Sequence, residues 1–161
     1  MNVVLDIADV DRRNLYYCEP VTNTVMDVSV FVRTGYTDEL ITMNGLYIHC
    51  PFCISKVDKY YQNYKFMFDY NQNMDLIDGL IKIERMIIQC HNVHNLIPVY
   101  KLRDQLLSLH IRVFENVECS TNTLEPGDYN FTLKISGIWQ NGDSCGLTFK
   151  FFSQKTLSTV C

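Results

Sequence analysis

Apolar and polar residues alternate most regularly between Asp128 and Phe152. The alternating apolar residues are Tyr129, Phe131, Leu133 and Ile135 on the first half and Leu147, Phe149 and Phe151 on the second half. Because successive side chains of a strand point to opposite faces, this pattern predicts two strands that bury one face and expose the other. The intervening Gln140–Asp143 segment contains Asn and Gly, which tolerate the positive φ angles of hairpin turns. We therefore predict a β-hairpin.

Shorter segments upstream alternate in the same way or are rich in β-branched and aromatic residues, and each is predicted to be a strand. They are Asn2–Val10 with a continuation at Leu15–Cys18, Val25–Thr34, Leu40–Cys50 and Tyr61–Tyr70. A turn is predicted at Gly35–Asp38, and Asn44–Gly45 predicts a bend within Leu40–Cys50. The first part of the chain is therefore expected to consist of strands.

The period changes at Asp75–Cys90, where apolar residues recur at intervals of three and four positions. This spacing predicts an amphipathic helix, with Asn73 or Asp75 as its N-cap. Glu84 lies in an otherwise apolar stretch of this helix. We expect it to pair with a Lys or Arg at the surface.

A second helix is predicted to begin at Pro98, which suits the first turn of a helix, and to run to about Leu109. A loop at His91–Asn95 is expected to separate the two helices. The apolar residues of Ile111–Val117 predict a further strand. The polar segment Glu118–Gly127 is expected to be a loop that leads into the hairpin.

Strands, a helical insertion and a closing hairpin follow one another in the order expected of an OB-fold, a small Greek-key barrel. We therefore predict a mainly β fold with an α insertion. In detail, this is an OB-like five-stranded Greek-key barrel with two helices between the third strand and the closing strands. No repeat, low-complexity tract or linker divides the chain, so residues 1–161 are expected to form a single OB-like domain.

The charge balance limits how this protein can bind nucleic acid. Its formal net charge is −4 at pH 7, so it has no overall basic field, although a local basic groove is compatible with this value. No apolar run reaches the roughly 18 residues that a membrane helix needs. Met1–Val10 carries Asp6 and Asp9 and lacks the basic start of a signal peptide. We expect an intracellular protein that does not bind membranes.

An OB-type surface binds single strands by stacking bases on aromatic rings and contacting phosphates through Lys and Arg. On the predicted hairpin, Lys134, Lys150 and Phe152 fall on the polar face, and an exposed Phe beside Lys is the kind of platform that stacking needs. The alternative is that the aromatic residues belong to the core or its rim and that the lysines are only solvated. The predicted nucleic-acid-binding residues are Arg33, Tyr47, Lys65, Lys134, Trp139, Lys150 and Phe152.

The segment Gly127–Phe151 resembles the C-terminal hairpin of single-stranded-DNA-binding proteins of the OB-fold type from large DNA viruses and bacteriophages. There a G-x-Y strand leads to a G-[IV]-W element, here Gly137–Trp139, and a strand with aromatic residues and lysine returns. Leu40–Pro51 is similar to a lesser degree. The resemblance implies a protein that binds single-stranded DNA with little sequence preference and assists viral replication or recombination in the nucleus or cytoplasm of the host.

The resemblance also implies two further kinds of binding partner, which are replication proteins and a second copy of the chain. Many of these proteins end in an acidic tail that recruits replication partners. Here Ser153–Cys161 is short and carries Lys155 instead. The chain therefore departs from the family pattern in the part that recruits partners.

Cysteine is frequent, with seven residues, but the odd number and the missing signal peptide argue against a disulfide scaffold. Cys50-Pro51-Phe52-Cys53 resembles the dithiol motif of glutaredoxins, which implies thiol-disulfide oxidoreductase activity as an alternative function. This chemistry needs a nucleophilic Cys50 at a helix N-terminus and Cys53 as the resolving thiol. Ile97–Pro98 falls where that family has a cis-proline, but a helix is predicted there instead of a strand.

Cys50 and Cys53 also have the spacing of zinc ligands, and Cys90 with His94 or His91 could complete a tetrahedral site. Only one C-x2-C pair is present, so a coincidental cluster in a cysteine-rich chain is the alternative. A structural zinc ion is compatible with the DNA-binding interpretation, which requires no cofactor. No Gly-rich phosphate loop, G-x-S-x-G elbow or HExxH motif occurs, so no catalytic residue is predicted.

Overall fold

The structure of the protein is a computed structural model that describes residues 3–22, 29–91, 95–114 and 129–155. Within these ranges the protein is mainly β with two helices, as predicted. The strands are β1 (Leu15–Tyr17), β2 (Val21–Thr22), β3 (Ser29–Thr37), β4 (Thr42–Met43), β5 (Leu46–Cys50), β6 (Ile54–Tyr60), β7 (Asn63–Phe68), β8 (Ile97–Val99), β9 (His110–Phe114), β10 (Tyr129–Asn141) and β11 (Ser144–Lys155). The helices are α1 (Tyr70–His91) and α2 (Lys101–Leu107).

The predicted hairpin is confirmed as the antiparallel pair of β10 and β11, which extends from Tyr129↔Lys155 to Asn141↔Ser144. Gly142 in the turn has a φ of +56°, a left-handed angle that Gly adopts without strain. The alternation buries the expected side chains. Those that are at most 2% exposed are Phe131, Leu133, Ile135, Leu147 and Phe151.

The hairpin lies at the centre of one open, mixed sheet rather than in a closed barrel. One edge of β10 pairs with β11. Because β10 is 13 residues long, its opposite edge pairs with two strands in succession, β5 along Phe131–Ile135 and β3 along Gly137–Asn141. The other edge of β11 pairs in parallel with β8 and β9, and the sheet continues from β9 through β7 to β6. The predicted five-stranded closure is not found among the described strands, because the two end strands of the sheet, β1 and β6, do not pair with each other.

The two helices cover one face of this sheet and form the core with it. Their fully buried apolar residues include Ile77, Leu80 and Ile87 of α1 and Leu102 and Leu106 of α2. These side chains belong to one cluster with the inward residues of β7, β9, β10 and β11. Of the helices in the described ranges, none combines the length and the apolar content needed to cross a membrane.

The first predicted strand is wrong over most of its length. Within the described part of Asn2–Val10, Leu5 alone pairs, in an isolated parallel bridge with Ile48, and Ile7–Asp9 forms a 3-10 turn. The continuation predicted at Leu15–Cys18 is confirmed as β1. The N-terminal segment therefore borders the sheet instead of adding a full strand to it.

β3 extends further than the sequence predicts. The predicted strand Val25–Thr34 is confirmed from Ser29 onward, and residues 25–28 lie outside the described residues. The turn predicted at Gly35–Asp38 is wrong, because β3 continues to Thr37. A Cβ atom at Gly35 would overlap the ring of Tyr16, so this Gly permits a close approach between strands rather than a turn.

The next predicted strands are confirmed with shorter bounds. Leu40–Cys50 contains β4 and β5, and the predicted bend at Asn44–Gly45 separates them. Tyr61–Tyr70 contains β7. β6 was not predicted from the sequence, and it pairs with β7 as a hairpin.

α1 begins earlier than predicted. Asp69 precedes it and accepts the backbone N–H of Asn71 at 2.8 Å, so neither Asn73 nor Asp75 is the cap. The Asn73 side chain is buried and bonds to the backbone of Cys53, accepting its N–H at 2.7 Å and donating to its carbonyl at 3.1 Å. Asn73 therefore attaches α1 to the chain that precedes β6.

The second helix starts later than predicted, at Lys101, because Pro98 belongs to β8. Proline lacks a backbone N–H and is tolerated in short strands at the edge of a sheet. The strand predicted at Ile111–Val117 is confirmed as β9 up to Phe114. Residues 92–94 and 115–128 lie outside the described residues, so the loops predicted at His91–Asn95 and Glu118–Gly127 stay predictions.

A β-bulge divides β10. The register with β11 shifts by one residue just before Gly137, and Ser136 has no partner there. A one-residue shift reverses the alternation beyond it, so Trp139 lies on the same face of the sheet as Lys134. A Cβ atom at Gly137 would overlap the carbonyl oxygen of Val32, so only Gly fits at this position.

Glu84 is buried between α1 and α2 rather than paired at the surface, so this prediction is wrong. Its carboxylate accepts the backbone N–H groups of Leu102 at 3.0 Å and Arg103 at 2.8 Å. These groups lie in the first turn of α2, where N–H groups have no partner within the helix. Glu84 thereby caps α2, since Tyr100 at the cap position makes no side-chain hydrogen bond. Burial raises the pKa of Glu84, against the effect of its two hydrogen bonds.

Replacement of Glu84 by Ala is expected to lower the free energy of unfolding by about 2 kcal/mol, because the buried N–H of Leu102 and the partly buried N–H of Arg103 lose their acceptor. The folded pKa lies above the ordinary value of 4.5, so the folded state holds the proton more tightly than the unfolded chain. The advantage of the wild type over Glu84→Ala is therefore greatest below about pH 4 and decreases as the pH rises through the raised pKa. Urea unfolding followed by circular dichroism at several pH values measures both effects. An advantage that increases with pH would contradict this role.

Candidate nucleic-acid interface

The sheet face that points away from α1 and α2, called the outer face below, carries a cluster of lysine and aromatic side chains. Cross-strand partners share a face of the sheet. Lys134 pairs with Tyr47 on one side and with Lys150 on the other, so the three side chains form one row across β5, β10 and β11. Three exposed residues of the outer face lie next to this row: Arg112, Phe114 and Phe152.

Two lysines face each other at the centre of this cluster. Lys134 and Lys150 are direct cross-strand partners, an arrangement that destabilises a sheet when both are charged. Lys134 Nζ lies 5.6 Å from the ring centroid of Tyr47. Among the described residues, no carboxylate forms an ion pair with either lysine. Their mutual repulsion is therefore not offset by an acidic neighbour in that part of the chain.

Lys150 lies between two exposed phenylalanines. Its Nζ is 5.7 Å from the ring centroid of Phe114 on β9 and 5.1 Å from that of Phe152 on its own strand. Phe114 is 61% exposed and Phe152 is 40% exposed. We call these three residues the Phe–Lys–Phe platform. The platform combines rings that are open to solvent with a positive charge, which is what stacking on a base beside a phosphate requires.

Phe114 and Arg112 are absent from the residues predicted from the sequence. They reach the platform because β9 runs parallel to β11 and pairs with it at Val113↔Phe151. Alternation along β9 contains part of the signal, since burial of Ile111 and Val113 directs Arg112 and Phe114 outward. It does not reveal which strand lies alongside, and that neighbour brings Phe114 to Lys150.

A groove of about 380 Å³ opens beside the platform, where β9 and β11 diverge. The chain between β8 and β9 forms α2, so β11 lacks a strand partner between these two pairings. α2 contributes Gln105 to the groove, and the outer face contributes Arg112 and Lys150. Ser108, which follows α2, also lines the groove, but its hydroxyl donates to the carbonyl of Gln105 at 2.6 Å. Gln105, Arg112 and Lys150 supply hydrogen-bond donors and two positive charges, which suit an anion of the size of a phosphate.

Two other predicted residues also lie on the outer face, but apart from the platform. Arg33 is exposed on β3, opposite Gly137. Lys65 lies on β7 between Asp58 on β6 and Arg112 on β9. Four of the predicted residues are therefore neighbours (Tyr47, Lys134, Lys150 and Phe152), and the rest are distributed along and across the same face.

Trp139 is half-buried and packs against its own sheet. Its ring lies so close to Gly146 that a Cβ atom there would be 2.7 Å from Cζ2 of the indole. Nζ of Lys101, at the start of α2, is 5.0 Å from the ring centroid. The indole already contacts the protein in this way, so it is less open to a stacked base than the phenylalanines of the platform.

The surroundings of Cys50 do not suit thiol chemistry. Cys50 is fully buried in β5, and its Sγ donates to the carbonyl of Ile48 at 3.5 Å. Burial raises the pKa of this thiol to about 12, so little thiolate forms near neutral pH. Cys53 is exposed, and the strand β6 follows it where a glutaredoxin has a helix. Pro98 lies in a strand, but its peptide bond is trans. These features oppose the glutaredoxin-like alternative.

The predicted zinc ligands are not gathered into a site in the part of the chain that the structure describes. Cys50 is in the core, whereas Cys53 and Cys90 are exposed. His94 lies outside the described residues. Within the described ranges, no group of three or more His, Cys, Asp or Glu side chains is close enough together to hold a metal ion.

A second basic concavity lies against the exposed side of α1. Its volume is about 490 Å³, and its cations are Arg12, Lys82 and Arg85. The remaining lining residues are Met86, Gln89 and Cys90, so the lining contains no aromatic ring. This groove can attract anions but offers no aromatic ring on which a base could stack. It therefore differs from the outer face in lacking aromatic rings beside its positive charges.

Thiol labelling is expected to distinguish the exposed Cys53 from the buried Cys50 by their rates of alkylation. In the folded protein at about pH 8, iodoacetamide should alkylate the exposed Cys53 and leave Cys50 unmodified, because burial suppresses the Cys50 thiolate. Peptide mass spectrometry measures both sites, and labelling in urea provides the control in which both react. Rapid alkylation of Cys50 in the folded protein would contradict its assigned position.

Comparison with known proteins gives no further assignment for the outer face. No protein-family model, no curated protein and no solved structure matches this chain significantly. The chemistry of the outer face must therefore be derived from its own side chains. These are the lysine row with Tyr47, the Phe–Lys–Phe platform and Arg112.

Proposed function

We propose that the outer face binds single-stranded DNA with little sequence preference. The Phe–Lys–Phe platform is the observation that carries this function, because the ammonium of Lys150 lies close to two exposed rings. Every base has a flat face that can stack on an aromatic ring, and every phosphate attracts an ammonium. A surface of this kind therefore recognises the polymer rather than its sequence.

Stacking supplies the part of the affinity that is specific for unpaired bases. A base stacked on an exposed ring contributes about 1–3 kcal/mol. Phe114 and Phe152 offer two such rings, and the half-exposed Tyr47 beside Lys134 offers a third. In a duplex the bases are already stacked on one another, so this contribution is available only to a single strand.

Phosphate contacts supply the other part. A phosphate bound near Lys134 and Lys150 relieves the repulsion between these cross-strand partners, and Arg112 extends the positive surface onto β9. The net charge of the chain is −4, so the attraction has to come from this local arrangement. Bound phosphates release counterions, and we therefore expect binding to weaken as the salt concentration rises.

Binding of this kind does not require a closed barrel, because OB-fold proteins also bind single strands on an exposed sheet face. We propose that the hairpin is related to theirs, on the strength of its resemblance to the viral and bacteriophage proteins. The corresponding role is intracellular and accessory to viral DNA replication or recombination. Its partners would include replication proteins and neighbouring copies of the chain bound along the same strand.

Lys150→Ala and Phe152→Ala are each expected to weaken the binding of a fluorescent dT oligomer of about 16 nucleotides roughly 10-fold, since each removes a phosphate contact or a stacking surface. Fluorescence polarisation in low salt measures the affinity. In a salt titration, Lys150→Ala should also reduce the slope of log affinity against log salt by about 0.7. The matched control is Lys82→Ala, which removes a lysine from the groove on α1 and should bind like the wild type.

Two outcomes would contradict the proposed function. One is the absence of a polarisation change with micromolar wild-type protein in low salt. The other is an equal loss of affinity in Lys82→Ala, which would show that any surface lysine contributes. Circular dichroism of each variant verifies that the fold is retained.

A further inference from the structure

The hairpin of β6 and β7 carries two exposed aromatic residues at its tip. Tyr60 is 69% exposed and Tyr61 is 82% exposed, and their ring centroids are 4.7 Å apart in an edge-to-face arrangement. Large aromatic side chains with this exposure gain little from burial in the folded protein. Their position therefore calls for an explanation outside the core.

Tyr61 also has an unfavourable backbone conformation. Its φ is +54°, a left-handed angle at which a bulky side chain is an outlier and Gly is the favoured residue. Because the ring is exposed, packing does not explain why an aromatic residue occupies this turn. A function for the ring in contact with a ligand does.

The strand register directs Tyr60 onto the outer face. Tyr60 pairs with Asn63 on β7, and Asn63 pairs with Phe114 on β9. Cross-strand partners share a face, so Tyr60 and Phe114 lie in one row with Asn63 between them. Two strand spacings separate them by about 10 Å. The tip of the hairpin therefore extends the aromatic surface of the platform across the sheet.

A groove of about 630 Å³ extends from the tip of the hairpin to Arg112, and Tyr60, Lys65 and Arg112 are among its lining residues. Arg112 also lines the groove beside the platform, so the two grooves meet at this side chain. Asp58 also lines the groove of about 630 Å³, but its carboxylate lies 3.4 Å from Nζ of Lys56. The charge of Asp58 is thus offset at its own strand, and Lys65 and Arg112 make the groove suitable for phosphates.

We propose that Tyr60 and Tyr61 form a second stacking site for the same DNA strand, which crosses the outer face from the platform to the tip of the β6–β7 hairpin with Arg112 between the two sites. This inference rests on the proposed function of the outer face. The platform occupies β11 and β9, one strand spacing of about 5 Å, and Tyr60 on β6 lies two further spacings away. Successive nucleotides of a strand are about 3.4 Å or more apart, so an oligomer of about 2 nucleotides fills the platform alone, whereas a longer one also reaches the tyrosines.

The test compares two dT oligomers, one of about 2 and one of about 16 nucleotides, by fluorescence polarisation. The variant is Tyr60→Ala combined with Tyr61→Gly, in which Gly suits the left-handed turn and removes the second ring. We expect it to bind the long oligomer at least about 5-fold more weakly and the short oligomer with wild-type affinity. Thermal unfolding of the double variant itself should show that it is fully folded at the assay temperature, so that a loss of affinity cannot be due to unfolding.

Leu40→Ala is the matched control, because Leu40 is a 92% exposed apolar residue in a different turn. It should bind both oligomers like the wild type. If the tyrosine variant binds both oligomers with wild-type affinity, the second stacking site is overturned and the platform remains. An equal loss with both lengths overturns it too, since the tyrosines would then belong to the primary site. If the wild type binds neither oligomer, the function proposed for the outer face fails and the second site fails with it.

Discussion

The pairing of β10 with β11 is the constraint on which the rest of the structure depends. Both strands are long, 13 and 12 residues, and each has one edge in the hairpin and one edge that receives other strands. The inward side chains of the pair, such as Phe131, Leu133 and Phe151, are the surface on which both helices pack. Among the described strands, β10 is the partner that β3 and β5 share, and β11 is the partner that β8 and β9 share. The hairpin therefore joins these four strands into one sheet.

The same pairing determines what the opposite face presents to solvent. Alternation that buries Leu133 and Phe151 must direct Lys134, Lys150 and Phe152 to the outer face, so the core and the outer face are two consequences of one register. The direct opposition of the two lysines is unfavourable for the sheet by itself. A sheet that retains this pair next to exposed rings is well suited to a ligand with negative charge and flat groups.

Local patterns were sufficient to predict the hairpin, its buried face and the neighbours Lys150 and Phe152, because alternation and turn chemistry depend only on adjacent residues. The long-range pairing of β9 with β11 was not predictable in this way, so Phe114 and Arg112 were missed. Glu84 shows the same limit: its acceptors lie in α2, so its role depends on how the helices pack. The open sheet likewise results from pairings that no single segment specifies.

An NMR titration of isotope-labelled protein with a dT oligomer tests most directly whether the outer face is the binding surface. Signals of Lys134, Lys150, Phe114 and Phe152 are expected to shift progressively with the added oligomer. Signals of Lys82 and Arg85 in the aromatic-free groove on α1 are expected to stay unchanged. Shifts confined to α1, with the Phe–Lys–Phe platform unaffected, would contradict the account.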